Sequence, residues 1–184
     1  MIQTIAKARK TVKGKLLLTV IAVLGSVALP QLVHVVGRLS GVGTALGELL
    51  LPMHFFVLLA GLLAGPAVGM VTGACAPLVS YLLSGMPREA VLPFMLIELV
   101  GYGLIAGLMS EVKTHSFVKL LAAQVGGRVL RAVAVLIAVY VFHAETVSVS
   151  SIPNMIVSGV IGIFLQWCIL PLILFRLNAS EDRE

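Results

Sequence analysis

The chain has 184 residues, of which 59% are apolar and 11% charged, and its mean hydropathy is +1.10. A water-soluble domain of this length keeps most of its surface wet and has no place for so much apolar side chain, which excludes a soluble enzyme or binding module. The net charge of +5 does not indicate a nucleic-acid partner either. The basic residues gather in the N-terminal tail and one internal loop, which is a membrane-topology pattern.

Residues 1–15 form a basic tail carrying Lys7, Arg9, Lys10, Lys13 and Lys15. The apolar run that follows is too long for a signal-peptide core and lacks a small-x-small cleavage site, so it reads as a retained first span, residues 16–36, kinked at Pro30. A Gly/Ser-rich loop, 37–48, leads to a second span at 49–64. Gly65-Pro66 breaks the chain, with Pro66 suited to a first helical position, and a third span covers 67–83. A short loop, 84–89, carries Arg88 and Glu89 before a fourth span at 90–109. The loop 110–117 holds Glu111, Lys113 and His115, and a fifth span covers 118–142. A polar loop with His143 and Glu145 leads to a sixth span, 152–175.

The expected fold class is therefore an all-α integral membrane protein, a six-transmembrane-helix bundle. The expected domains are the basic tail (1–15), the membrane domain (16–175) and a C-terminal tail (176–184). Six spans put both termini on one side. Nine Lys and Arg lie in the tails and the connection between the fourth and fifth spans, counting Lys119 just inside the fifth, against two, Arg38 and Arg88, in the opposite loops. That asymmetry predicts cytoplasmic termini in a multi-pass protein of a prokaryotic plasma membrane. Small residues recur at helical spacing: Ala22/Ser26, Ala60/Ala64, Gly61/Gly65, Gly69/Gly73 and Gly103/Gly107. They serve internal packing or the docking of a partner. No inverted repeat is evident, and the chain is small for a self-contained transporter, which points to one part of a larger machine.

Ionisable groups inside a bilayer are costly, so each needs a reason. Glu98 lies near the middle of the fourth span with Tyr102 one turn later. Gln124, Arg128 and Arg131 share one face of the fifth span; Asn154 lies near the outer end of the sixth, with Gln166 and Trp167 deeper. Met53 and His54 open the second span. On a ligand-binding reading these line a polar cavity between the last three spans. Arg128 or Arg131 meets an acidic or carbonyl group, Glu98 accepts from a ligand donor, and Tyr102 or Trp167 stacks on a ring. On a structural reading Glu98 and Arg128 form an ion pair and bind nothing. Arg131 lies nearer the outside and has the weaker claim on a ligand. His54 is a ligand contact or simply a hydrogen-bonded residue at a helix start.

No HxxxH, HExxH or Cys/His cluster supports a metal site, and Cys75 and Cys168 read as small buried hydrophobes. No P-loop, GxSxG or paired-Asp motif is present, and Ser80 and Ser84 lack a base. The chain is not expected to be an enzyme, to hold a cofactor or to power ATP-driven transport by itself.

The residues from 50 to 109 carry a resemblance. Leu51-Pro52-Met53-His54 enters the second span, a Leu-Ala-Gly to Ala-Gly-Pro break runs from Leu59 to Pro66, Ser84-Gly85-Met86-Pro87 forms a loop, and Glu98 precedes Tyr102-Gly103. In this order the stretch resembles the substrate-binding S components of energy-coupling factor (ECF) transporters. The resemblance implies a subunit that captures a vitamin or similar micronutrient from outside and docks on a transmembrane coupling protein with two ATP-binding subunits. It also implies a pocket made by the last three spans and the outer loops: Met53, His54, Glu98, Tyr102, Arg128, Asn154 and Trp167. Many members carry Ala-xxx-Ala on the first span for docking; here the nearest match is Ala22-xxx-Ser26. The N-terminus, Met-Ile-Gln-Thr, lacks the Met-His segment of members that carry nickel or cobalt. The cargo classes that fit few rings and several polar groups are pyridoxine, a hydroxymethylpyrimidine, pantothenate and a queuosine precursor. A carboxylate would be anchored by Arg, a neutral nitrogen heterocycle by Glu98 and Asn154, and the balance leans to the heterocycle. The competing class is a non-transporting membrane assembly or scaffold subunit whose polar residues serve packing. A lipid-modifying enzyme would need a nucleophile or metal constellation that the sequence does not offer.

Overall fold

Thr11 sets where the first helix begins: its side chain accepts from the Gly14 amide at 3.1 Å, capping α1 (Val12–Leu39). Lys13 and Lys15 therefore lie inside the helix rather than in a preceding tail. The computed structural model describes residues 11–43 and 45–181; Lys7, Arg9 and Lys10, and Arg183 at the other end, fall outside them. The chain continues through α2 (Ala45–Leu50), α3 (Pro52–Ala64), α4 (Pro66–Ser84), α5 (Leu92–Ser110), α6 (Ser116–Tyr140), α7 (Ser151–Ser158) and α8 (Val160–Glu181). Among the described residues there is no strand, and six helical stretches are long and apolar enough to cross a membrane. In lipid this is the expected solution, because a helix satisfies its backbone polar groups within itself.

Two spans are broken where the sequence suggested single helices. The second begins at Ala45, so most of the expected Gly/Ser loop is shorter than its composition implied, and it breaks at Leu51. Leu51 takes a left-handed conformation (φ 48°, ψ 48°) immediately before Pro52, which has no amide hydrogen to continue the ladder. The sixth is interrupted at Gly159, between α7 and α8.

α5 is the hub. It packs against α3, α4 and α6, while α1 lies over α3 and α4, and α8 reaches α2, α3 and α6. Close approach at the hub depends on missing side chains. A Cβ on Gly69 would run into the Gly103 carbonyl, and one on Gly103 into the Gly69 backbone. A Cβ on Gly61 would come within 2.6 Å of the Gly103 oxygen. The small-residue pairs of α3, α4 and α5 thus serve internal packing, as such pairs do between helices in lipid.

The same holds on α1. Ala22 is 8% exposed and Ser26 is fully buried, and Ala22 packs with Ala60, Ala64 and Val68 of α3 and α4. The outward face of α1 is instead Leu16, Leu17, Val20, Ile21 and Leu24. The expected docking pair is thus turned into the bundle, because the narrow side chains at this spacing are what let α1 lie close to its neighbours. Cys168 also departs from expectation: it is exposed on the outside of α8, and Cys75 is half-buried.

Two substitutions test this packing. Gly103→Val forces α4 and α5 apart and should lower the thermal midpoint of the detergent-purified protein by several degrees, in line with about 1–3 kcal/mol for overpacking. Ala22→Leu should do the same; unchanged melting of Ala22→Leu would mean that α1 does not sit against Ala60 and Ala64.

Candidate functional site

α5 and α6 are adjacent and antiparallel, so one turn forward on α5 faces one turn back on α6. This register pairs Glu98 with Arg131 and Tyr102 with Arg128. Arg131 Nη1 donates to Glu98 Oε2 at 2.6 Å, and Arg128 Nε donates to the Tyr102 hydroxyl at 3.1 Å. The approach needs Gly127, where a Cβ would enter the Tyr102 ring, 2.6 Å from Cε2. Both α5 residues are interior: Glu98 is 3% exposed and Tyr102 0%. The ion pair expected between Glu98 and Arg128 is therefore made by Arg131 instead. Spacing on one helix shows which residues share a face, but the partner is chosen by the register between helices. Arg131, expected nearer the outside, is held inward by a buried carboxylate.

The break at Leu51 brings in a third element. Because α3 starts afresh at Pro52, His54 lies level with Glu98, with Nε2 3.7 Å from Glu98 Oε1. Its ring stands edge-on to Tyr102, with centroids 5.1 Å apart. His54 is 3% exposed, and neither of its ring nitrogens has a hydrogen-bond partner. The Nε of Arg131 is also buried without a partner. The break at Gly159 lies close by: a Cβ there would come 2.5 Å from Arg128 Nη2 and 2.7 Å from Leu51 Cδ1. The two interrupted spans thus meet around the Arg128 guanidinium.

A second polar layer lies one turn before Arg128 on α6. Trp167 Nε1 donates to Gln124 Oε1 at 2.7 Å, Gln124 Nε2 to Gln166 Oε1 at 2.9 Å, and Gln166 Nε2 to the Leu51 carbonyl at 3.3 Å. Gln124 and Gln166 are 3% and 2% exposed. The Leu51 carbonyl also accepts from the His54 amide at 3.2 Å, so this chain of donors ties the glutamine layer to the start of α3. Both glutamines were expected among the polar residues of the cavity, but neither was assigned a ligand contact, although Gln124 stands one turn before Arg128 on the same face.

Of the expected contacts, His54, Glu98, Tyr102 and Arg128 come together, joined by Arg131. Met53 packs in the apolar core with Tyr102 and Leu99 and is 4% exposed. Trp167 belongs to the glutamine layer, and its ring faces Phe117 at the far end of α6 (6.4 Å between centroids). It stands away from Glu98. Asn154 on α7 is exposed, and its side chain makes no hydrogen bond among the described residues. An open concavity of about 480 Å³ lies at the start of α5, lined by Glu89, Ala90, Pro93, Phe94 and Thr146. Phe94 is one turn above Glu98 on the same helix face. Among the described residues no group of three His, Cys, Asp or Glu could hold a metal ion.

The arrangement is a buried, charged and incompletely hydrogen-bonded cluster inside an apolar bundle, and the open concavity at the start of α5 is lined by none of its residues. It suits the recognition of a polar small molecule. The sequence matches the family described as ECF transporter, substrate-specific component, over residues 15–179. No curated protein and no solved structure matches the chain. The six membrane-crossing helices and a family match that runs through nearly all of them lead to one conclusion: the chain belongs to the substrate-specific components of ECF transporters, multi-pass proteins of the cell membrane that bind a small-molecule substrate for transport.

Proposed function

We propose that this protein captures a vitamin or vitamin precursor from outside the cell in the cluster of His54, Glu98, Tyr102, Arg128 and Arg131. It then delivers the cargo through a transmembrane coupling protein served by two ATP-binding subunits. The cargo is a small molecule of the pyridoxine, hydroxymethylpyrimidine, pantothenate or queuosine-precursor class. The observation that carries this reading is the set of buried atoms without partners, His54 Nδ1 and Nε2 and Arg131 Nε, gathered around one carboxylate. In lipid an unsatisfied buried polar group costs several kcal/mol. Such a cluster makes sense where a ligand completes it.

The orientation follows from the Lys and Arg distribution, with both termini and the 111–115 connection in the cytoplasm. The concavity beside Phe94 and Glu89 then lies on the outer side. Hydrolysis of ATP belongs to the partner subunits, and this chain is assigned no catalytic role. The scaffold alternative has one observation in its favour: Glu98 and Arg131 already satisfy each other's charge at 2.6 Å. It leaves His54 Nδ1 and Arg131 Nε buried without hydrogen-bond partners.

Small molecules released from the detergent-purified protein after growth in rich medium, identified by mass spectrometry, should include a vitamin-like compound at near-stoichiometric amount. His54→Ala and Arg131→Ala should each weaken its binding by about 10- to 100-fold, the worth of a hydrogen bond to a charged group. Asn154→Ala should leave affinity within about twofold, as expected for an exposed side chain. Equal affinity in all three variants would place the ligand elsewhere in the bundle, and the absence of any bound compound would favour the scaffold.

A further inference from the structure

We infer that Trp167 and the two glutamines it directs, Gln124 and Gln166, are positioning residues: they fix where His54 stands relative to α6 and do not touch the ligand. The inference rests on the binding reading above and extends it to a layer outside the cluster. An indole N–H donates and accepts nothing, so Gln124 turns its oxygen to Trp167 Nε1, at 2.7 Å. That leaves the Gln124 nitrogen for Gln166 Oε1, at 2.9 Å, and the Gln166 nitrogen for the Leu51 carbonyl, at 3.3 Å. Two side-chain amides that could each face either way are thereby given one direction, toward the helix break. No nitrogen or oxygen of either glutamine is left buried without a partner. The layer is complete without a ligand, and Trp167, expected to stack on the cargo, acts at one remove.

The start of α3 depends on this layer. Leu51 caps α3 with no side-chain hydrogen bond, sits in the left-handed region and is followed by a proline. The support comes from the sixth span. Gly159, Gly162 and Gln166 recur there at three- and four-residue spacing, which keeps them on one side of a helix. All three meet the break. A Cβ on Gly159 would come 2.7 Å from Leu51 Cδ1, one on Gly162 would come 2.5 Å from the Leu50 carbonyl oxygen, and Gln166 donates to Leu51. The same Leu51 carbonyl accepts from the His54 amide at 3.2 Å, so the group that Gln166 grips is bonded to the backbone of the cluster's histidine. At its other end the chain is anchored on α6 by Gln124, two turns before Arg131. The layer is therefore a brace between the helix that carries His54 and the helix that carries Arg131. Those two residues hold buried atoms without partners, His54 Nδ1 and Arg131 Nε.

The test uses ligand-stripped, detergent-purified protein dialysed against graded dilutions of a low-molecular-weight filtrate of yeast extract. Mass spectrometry of the captured compound gives the dilution at half-occupancy, a relative affinity. Gln166→Met keeps the reach of the side chain and removes its hydrogen bonds. Its half-occupancy should need a filtrate about 3- to 10-fold more concentrated. Trp167→Phe, which removes the directing donor, should shift capture the same way. In a His54→Ala background, Gln166→Met should change half-occupancy by less than about twofold, because the residue it positions is gone. Where Gln166→Met fails to fold, Trp167→Phe carries the same cycle. A layer serving only bundle stability would weaken capture by the same factor in both backgrounds. That result, or parent-like capture by both Gln166→Met and Trp167→Phe, would overturn the inference and leave the binding reading standing. Capture of no compound by the parent would overturn both.

Discussion

A charge placed inside a lipid-embedded bundle must find a partner, and here the α5–α6 register decides which. Glu98 meets Arg131 and Tyr102 meets Arg128 because the two helices run antiparallel and close together. Gly127 makes that closeness possible at the Tyr102 ring. Breaking a buried pair of this kind typically costs about 3–5 kcal/mol, so the register and the pair support each other. The hub position of α5, pressed on its other side by the glycines of α3 and α4, leaves little freedom to slide.

The helix breaks do the remaining work of assembling the site. A continuous second span would carry its polar residues past the cluster in a regular ladder. The left-handed turn at Leu51 instead starts a new helix at the depth of Glu98, and the Leu51 carbonyl accepts from both the His54 amide and Gln166. The glutamine layer and the charged layer are therefore linked through one backbone position. Gly159 lets α8 begin beside the same place, against Arg128 and Leu51. A site built at interrupted helices exposes donors that an unbroken bundle would have consumed internally.

The division between what the sequence tells and what it withholds follows from these interactions. Six spans were legible because length and hydropathy report burial in lipid directly, and the order of motifs from Leu51 to Gly103 was enough to point to the family. The break before Pro52 had a local sign in the proline, but hydropathy averages over it. Helix starts at Val12 and Ala45 depend on caps and turns that composition does not register. The cluster was half legible: His54, Glu98, Tyr102 and Arg128 were named from polarity and from the resemblance, since any of them in a bilayer demands a reason. The partner of Glu98 was not, because register between helices is a property of packing. Trp167 and Asn154 were drawn in by type; Trp167 bonds to Gln124, and Asn154 is exposed. Ala22 and Ser26 show the same ambiguity, since small residues suit an internal contact and an external one equally well.

The central claim is that a ligand completes the cluster around Glu98. The most direct measurement is an experimental structure of the protein purified with its co-purifying small molecule. The account predicts ligand density between α3, α5 and α6, within hydrogen-bond distance of Arg131 Nε and a ring nitrogen of His54. Ligand density confined to the Gln124–Trp167 layer or to the outer loops, with His54 still unpartnered, would contradict it.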